Sequence, residues 1–93
     1  MKQITEPNKA VIQLIGAQAV DGTQTYRPIS FCVLTEADGE KLAYNTLTGE
    51  LLQLDAAEAA LLGRTAIPAA EADAALVEKL FLVPVSHDDI QLS

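Results

Sequence analysis

The 93-residue chain has very little of the cysteine and histidine on which many catalytic and metal sites depend. It has one cysteine, Cys32, and one histidine, His87, so it cannot form an internal disulfide or supply several Cys and His ligands to a zinc ion. Its serines Ser30, Ser86 and Ser93 have no neighbouring base that would make a nucleophile of them. The sequence therefore predicts no catalytic residue, no metal and no cofactor, and we expect that the chain is not an enzyme.

Positive charge is also scarce. Six Lys and Arg side chains stand against thirteen Asp and Glu side chains, which gives a formal net charge of −7. The basic residues are dispersed along the chain, whereas binding to phosphates requires clustered Lys and Arg. We therefore expect no binding to nucleic acid or to an anionic membrane surface.

Tryptophan, long apolar runs and targeting signals are absent as well. No apolar run approaches the roughly 20 residues of a membrane span, and the N-terminus has no secretory signal, so the cytoplasm is the expected location. With two Phe, two Tyr and no Trp, the core must consist mainly of Leu, Val, Ile and Ala. The length fits a single domain over residues 1–93.

The first third of the chain contains two apolar segments separated by a turn. Residues 1–8 are polar and are expected to be loose. Residues 9–20 fit either a strand or a helix, and the β-branched residues in this segment favour the strand. Tyr26–Thr35 is predicted to be a strand, and Asp38-Gly39 behind it is a strong signal for a hairpin turn.

The stretch Tyr44–Asp55 combines a strand, a turn, a second strand and a helix cap. Gly49 can supply the positive φ that a tight turn often needs. Glu50–Leu54 is predicted to run extended. Asp55 is a good N-cap, and Glu58 three residues later completes a capping box. The stretch therefore predicts a hairpin that leads directly into a helix.

The last third of the chain has helical periodicity. We predict helices over Ala56–Leu62 and Ala69–Leu80, a short extended exit over Phe81–Val83, and a capping segment for a further helix at Ser86–Asp89. The predicted fold class is thus α+β, with a three- to four-stranded antiparallel sheet followed by two or three helices.

Two segments carry a family resemblance, Gly39–Asp55 (GEKLAYNTLTGELLQLD) and Leu76–Pro84 (LVEKLFLVP). Together they resemble the N-terminal domain that precedes the radical SAM barrel in SPASM-type peptide and protein maturases. That domain is related to the pyrroloquinoline-quinone biosynthesis protein D fold, also called the RiPP recognition element. The resemblance covers residues 26–89 and implies a winged helix-turn-helix.

The resemblance also implies a function. In such domains a leader or substrate peptide adds as a strand to the sheet edge and is thereby presented to a partner enzyme, here a radical SAM maturase. The barrel and its three-cysteine motif are missing from this chain, so the resemblance implies neither an iron–sulfur cluster nor bound S-adenosylmethionine. The implied peptide-binding residues are those of the strand edge and of a helix wall: Glu50, Leu51, Gln53, Leu76, Val77 and Leu80.

A second hypothesis assigns the chain to a different class of protein. The segments 9–20 and 26–35 could pair across a two-fold axis and form a structural homodimer with no peptide ligand. A third is a DNA-binding winged helix, which the acidic net charge disfavours. A tight dimer that consumes the sheet edge and binds no peptide would contradict the peptide-recognition hypothesis.

Overall fold

The computed structural model describes residues 1–15 and 19–86 and shows a small α+β domain. Its strands are β1 (Lys2–Thr5), β2 (Thr25–Pro28), β3 (Cys32–Ala37), β4 (Glu40–Asn45), β5 (Leu51–Leu54), β6 (Ile67–Pro68) and β7 (Leu82–Pro84). The helices are α1 (Lys9–Ile15), α2 (Ala56–Leu62) and α3 (Ala74–Glu78), and a 3₁₀ turn spans Ala69–Glu71. One antiparallel sheet has the strand order β1-β5-β4-β3 and a second has the order β6-β2-β7. The predicted α+β class and antiparallel sheet are confirmed.

A two-residue turn joins β3 to β4. Asp38 and Gly39 both have positive φ, 53° and 77°, as a type I′ hairpin turn requires. The flanking residues Ala37 and Glu40 are cross-strand partners. The hairpin predicted from the Asp-Gly pair is therefore confirmed.

The second predicted hairpin and its helix cap are also confirmed. Gly49 has a φ of 79° in the turn before β5. The Asp55 carboxylate accepts a hydrogen bond from the Glu58 backbone at 2.7 Å, and the Glu58 carboxylate accepts one from the Asp55 backbone at 3.0 Å. This reciprocal pair is the predicted capping box, and α2 begins directly after it.

The core lies between the two sheets and the helices. Along β4 and β5, Ala43, Leu52 and Leu54 alternate inward and are buried. The second sheet and the later helices complete the same cluster with Tyr26, Leu62, Ile67, Leu76, Val77, Phe81 and Leu82. The core is therefore mainly aliphatic, as the composition requires.

The N-terminal segment differs from its prediction at two places. Residues 1–8 are not wholly loose, because Lys2–Thr5 forms β1 and pairs with β5. The strand favoured for residues 9–20 is wrong over Lys9–Ile15, which is helical. Asn8 starts this helix by accepting a hydrogen bond from the Ala10 backbone at 3.1 Å.

The strand predicted over Tyr26–Thr35 is divided between the two sheets. Pro28 lacks the N–H that a continuing ladder needs, and Ile29 turns the chain by accepting a backbone hydrogen bond from Cys32 at 3.0 Å. As a result β2 lies in the centre of one sheet, whereas β3 lies at the end of the other.

The helix predicted over Ala69–Leu80 is likewise interrupted. Asp73, which lies inside the predicted helix, instead caps α3 by accepting hydrogen bonds from the backbones of Ala75 and Leu76 at 2.9 and 3.3 Å. Ala72 before it is extended, with φ −70° and ψ 129°. A short Asp side chain competes for backbone donors, so it favours a helix start over a helix interior.

The remaining predictions concern the chain termini and membranes. The exit predicted over Phe81–Val83 corresponds to β7. The cap predicted at Ser86–Asp89 lies outside the described residues from position 87 onward. Among the described residues, no helix has the length and apolar character that crossing a bilayer requires.

Candidate functional site

The sheet edge predicted over Glu50–Leu54 is not an edge in the structure, and this part of the prediction is wrong. β5 pairs with β4 on one side and with β1 on the other. The register of β1 joins Lys2 to Gln53 and Gln3 to Leu52, with an irregularity before Thr5. The chain's own N-terminus therefore occupies the position that the prediction gave to a peptide.

The predicted helix wall is not exposed either. Leu76, Val77 and Leu80 are each at most 5% exposed and belong to the core. Leu51 and Gln53 are partly exposed, because they lie on the sheet face opposite the core. Leu76, Val77 and Leu80 therefore do not form an exposed wall beside Leu51 and Gln53.

Glu50 is the one charged residue among the predicted site residues, and it is fully buried. One carboxylate oxygen, Oε2, accepts hydrogen bonds from the Lys79 ammonium at 2.9 Å and from the Gln3 amide. The other oxygen, Oε1, has no hydrogen-bond partner within the described part of the chain. Glu50 therefore ties the N-terminal strand to the end of α3.

β1 is attached mainly by polar contacts. All four of its residues are exposed. The Thr5 hydroxyl donates to the Gly49 carbonyl at 3.0 Å and accepts from the Leu51 backbone at 2.9 Å, and the Met1 ammonium lies 3.1 Å from the Glu58 carboxylate. β1 thereby covers the β5 edge while burying little apolar surface of its own.

The other end of this sheet is formed by β3. Its outer side has no strand partner among residues 1–15 and 19–86, and we call this side the outer β3 edge. Ala37 and Glu40 flank a two-residue turn and form a hydrogen-bonded pair. Every second residue of β3, counted back from Ala37, therefore also has its backbone N–H and C=O bonded to β4. The backbone groups of Leu34 and Glu36 consequently point outward, away from β4.

A groove lies beside the outer β3 edge, between the sheet and α2. Its volume is about 500 Å³. Its lining residues are Leu34, Thr35 and Glu36 of β3, Lys41 and Leu42 of β4, Leu54 of β5, and Ala56, Ala59 and Ala60 of α2. The helix contributes only alanines, so its small side chains leave this space open.

Leu34 shows why the groove exists. It is the cross-strand partner of Ala43, which pairs with Leu52, so all three side chains lie on the core face of the sheet. Ala43 and Leu52 are fully buried beneath α2, which packs on β4 and β5. Leu34 is 45% exposed, because α2 does not extend over β3. An apolar side chain on the core face thus lacks a cover.

The rim of the groove is charged and mainly acidic. The Glu36 carboxylate lies 3.2 Å from the Lys41 ammonium, and both side chains are more than half exposed. Asp38 at the hairpin tip adds a further exposed carboxylate, whereas Glu40 lies on the opposite face of the sheet, where it accepts a hydrogen bond from Gln53. Negative charge therefore exceeds positive charge at the end of β3.

Cys32 begins β3 and is a partly buried thiol. Burial raises its pKa to about 11, so at pH 8 about one thousandth of it is thiolate, against roughly a quarter of an ordinary thiol. We expect iodoacetamide to alkylate Cys32 about 250-fold more slowly in the folded chain than in guanidinium. Mass spectrometry of timed samples measures both rates, and equal rates would contradict the burial.

Sequence reasoning missed the outer β3 edge and its groove. One signal was present: Phe31, Cys32, Val33 and Leu34 form a run of four apolar residues. Such a run puts apolar side chains on both faces of a strand, so some of them stay uncovered unless other elements pack on both faces. Val33 and Leu34 are indeed 51% and 45% exposed.

Within the described ranges, no group of three or more His, Cys, Asp and Glu residues could hold a metal ion. Comparisons of the chain with protein-family models, curated proteins and solved structures found no match. The maturase-domain resemblance therefore remains a prediction.

Proposed function

We propose that this chain is a non-catalytic module that binds an extended peptide as an added strand at the outer β3 edge. The observation that carries the proposal is Leu34, an uncovered side chain on the core face beside an open groove and an unpaired strand. Strand addition uses unpaired backbone groups for affinity and side-chain pockets for selectivity. The outer β3 edge and the groove supply both.

The geometry of strand addition matches the groove. A peptide paired with β3 would receive hydrogen bonds from, and donate them to, the outward backbone groups of Leu34 and Glu36. Its alternate side chains would point to the core face, beside Leu34 and above the alanines of α2. A medium-sized apolar side chain at one of these positions would cover Leu34 and fill part of the groove.

The wider role in this proposal follows the resemblance. The bound peptide is a leader or substrate peptide, and the module presents it to a partner maturase of the radical SAM class. The proposed fold is a winged helix-turn-helix relative, which the order hairpin, capped helix, second helix and exit strand supports. The peptide edge differs from the implied one, because β1 covers β5.

The test uses a synthetic threonine-rich peptide with a single isoleucine, titrated into the ¹⁵N-labelled chain. We expect the amides of Leu34 and Glu36 to become protected from hydrogen exchange. Ala60→Phe places a large ring in the groove and is expected to weaken binding about tenfold or more. Ala57→Phe makes the same change on an exposed residue of α2 outside the groove lining, and its affinity should equal that of the wild type.

Two results would contradict the proposal. Equal weakening by Ala57→Phe and Ala60→Phe would mean that the groove does not hold the isoleucine. Protection of β5 amides instead of β3 amides would mean that the peptide displaces β1.

The homodimer hypothesis keeps part of one of its two pairing segments. Lys9–Ile15 is a helix and β2 has partners on both sides, so these residues offer no strand edge. Residues 32–35 of the second segment lie in β3, so a homodimer would join two outer β3 edges. Sedimentation of the chain without peptide separates the cases, because concentration-dependent dimers with protected β3 amides would favour the homodimer.

A further inference from the structure

The outer β3 edge presents two different side chains to the core face. Leu34 and Glu36 are two residues apart, so both point to this face, with Leu34 in the groove and Glu36 at its rim. A strand paired with β3 places one side chain directly opposite each of them. An apolar side chain therefore fits opposite Leu34, and a side chain that complements a carboxylate fits opposite Glu36.

We infer that the ligand of this edge is an extended peptide with a Lys or Arg residue followed, two positions later, by a branched aliphatic residue. This inference rests on the proposed function, because it specifies the peptide that the edge would bind. The aliphatic side chain lies opposite Leu34 and covers it. The basic side chain lies opposite Glu36, next to the hairpin tip.

The order of the two ligand residues follows from the direction of pairing. Every pairing in this sheet is antiparallel, and an added antiparallel strand gains slightly more stability per residue than a parallel one. An antiparallel peptide begins beside Ala37 and ends beside Cys32. The residue opposite Glu36 therefore precedes the residue opposite Leu34.

Charge at the hairpin tip favours the basic residue. Lys41 is the nearest cation and lies 3.2 Å from Glu36, so it offsets one carboxylate. Asp38 remains as an exposed carboxylate at the turn beside it, whereas the Glu40 carboxylate accepts a hydrogen bond from the Gln53 amide on the opposite face of the sheet. Opposite charges on directly paired residues stabilise a sheet, and like charges destabilise it.

The experiment compares three threonine-rich probe peptides that share one isoleucine. Two positions before the isoleucine, the first probe has threonine, the second lysine and the third glutamate. We expect the wild-type chain to bind the lysine probe about fivefold more tightly than the glutamate probe. Glu36→Lys should reverse this order, and Glu36→Gln should leave only a small difference.

A matched control separates local pairing from net charge. Glu78→Lys makes the same charge change on an exposed residue of α3 that is not among the groove-lining residues, and it should keep the wild-type preference. A reversal by Glu78→Lys would overturn the inference, as would tighter binding of a probe with isoleucine placed before lysine.

Failure of this inference differs from failure of the proposed function. If all three probes bind with equal affinity and protect the β3 amides, the edge binds peptides without the inferred preference, and only the inference is wrong. If none of the probes binds, and the β3 amides exchange as fast with probe as without it, the proposed function is wrong as well.

Discussion

Replacing Asn45 with alanine is expected to lower the free energy of unfolding by about 3 kcal/mol. Asn45 is fully buried. Its side-chain oxygen accepts hydrogen bonds from the backbones of Leu47 and Thr48 at 2.9 and 3.2 Å, and its amide donates to the Leu80 carbonyl at 3.0 Å. Alanine would leave these three backbone groups without their partner in a place that water reaches poorly. Urea denaturation measures the loss.

The position of Leu80 explains why this contact matters for the whole domain. Leu80 follows α3 with a φ of 64°, a strained conformation for a branched side chain. Phe81 donates its backbone N–H to the Leu76 carbonyl at 2.9 Å, which closes the helix end. The Asn45 amide donates to the Leu80 carbonyl. One side chain therefore joins the turn before β5 to the end of α3.

Thr46 offers a matched control for Asn45. It is exposed, and its hydroxyl donates to the Phe31 carbonyl at 3.0 Å. Water can replace that bond, so Thr46→Ala should cost less than about 1 kcal/mol. Equal losses for the two variants would mean that the Asn45 contacts do not hold the turn and α3 together.

The parts of the fold that local sequence determines were predictable. Asp38-Gly39, Gly49 and the Asp55–Glu58 pair act on backbone groups within a few residues of themselves. Their turn types and cap therefore follow from residue type alone. The prediction of β4, β5 and α2 rests on these signals.

Contacts between distant segments were not predictable. β1 has one apolar residue, Ile4, and pairs with a strand more than forty positions later, where Leu51 donates to Thr5. No periodicity within Lys2–Thr5 reveals such a partner. The helix at Lys9–Ile15 has the same origin, because Ile12 and Ile15 pack against Ile29, Leu80 and Val83, and this tertiary contact outweighs the β-propensity of the segment.

The prediction of the candidate site also required contacts between distant segments to be known. Leu51 and Gln53 are on the strand that an isolated three-stranded sheet would leave at its edge, and Glu50 directly precedes it, so their choice was reasonable for residues 26–89 alone. β1 covers β5, so the two ends of the complete sheet are β1 and β3, and β3 keeps the open side that it would also have in the three-stranded sheet. Which strand is outermost is a property of the complete sheet, and a strand's own sequence does not specify it.

Replacing Lys79 with methionine is expected to lower the free energy of unfolding by about 2 kcal/mol. The Glu50 carboxylate is fully buried, and Lys79, 2.9 Å away, is its positively charged partner. Methionine keeps most of the apolar stem but leaves the carboxylate with only the Gln3 amide. The loss is smaller than for a fully buried pair, because the Lys79 side chain is 29% exposed and water can approach it.

A double-mutant cycle identifies the buried charge as the cause. Glu50→Gln with Lys79→Met removes both charges, so its stability should recover most of the loss seen with Lys79→Met alone. Lys41→Met is the matched control: its ion pair with Glu36 is more than half exposed on both sides, and we expect little measurable change. If the double variant is less stable than Lys79→Met by the full cost of Glu50→Gln, the two residues do not interact. Glu50 would then hold β1 through Gln3 without a stabilising link to the end of α3.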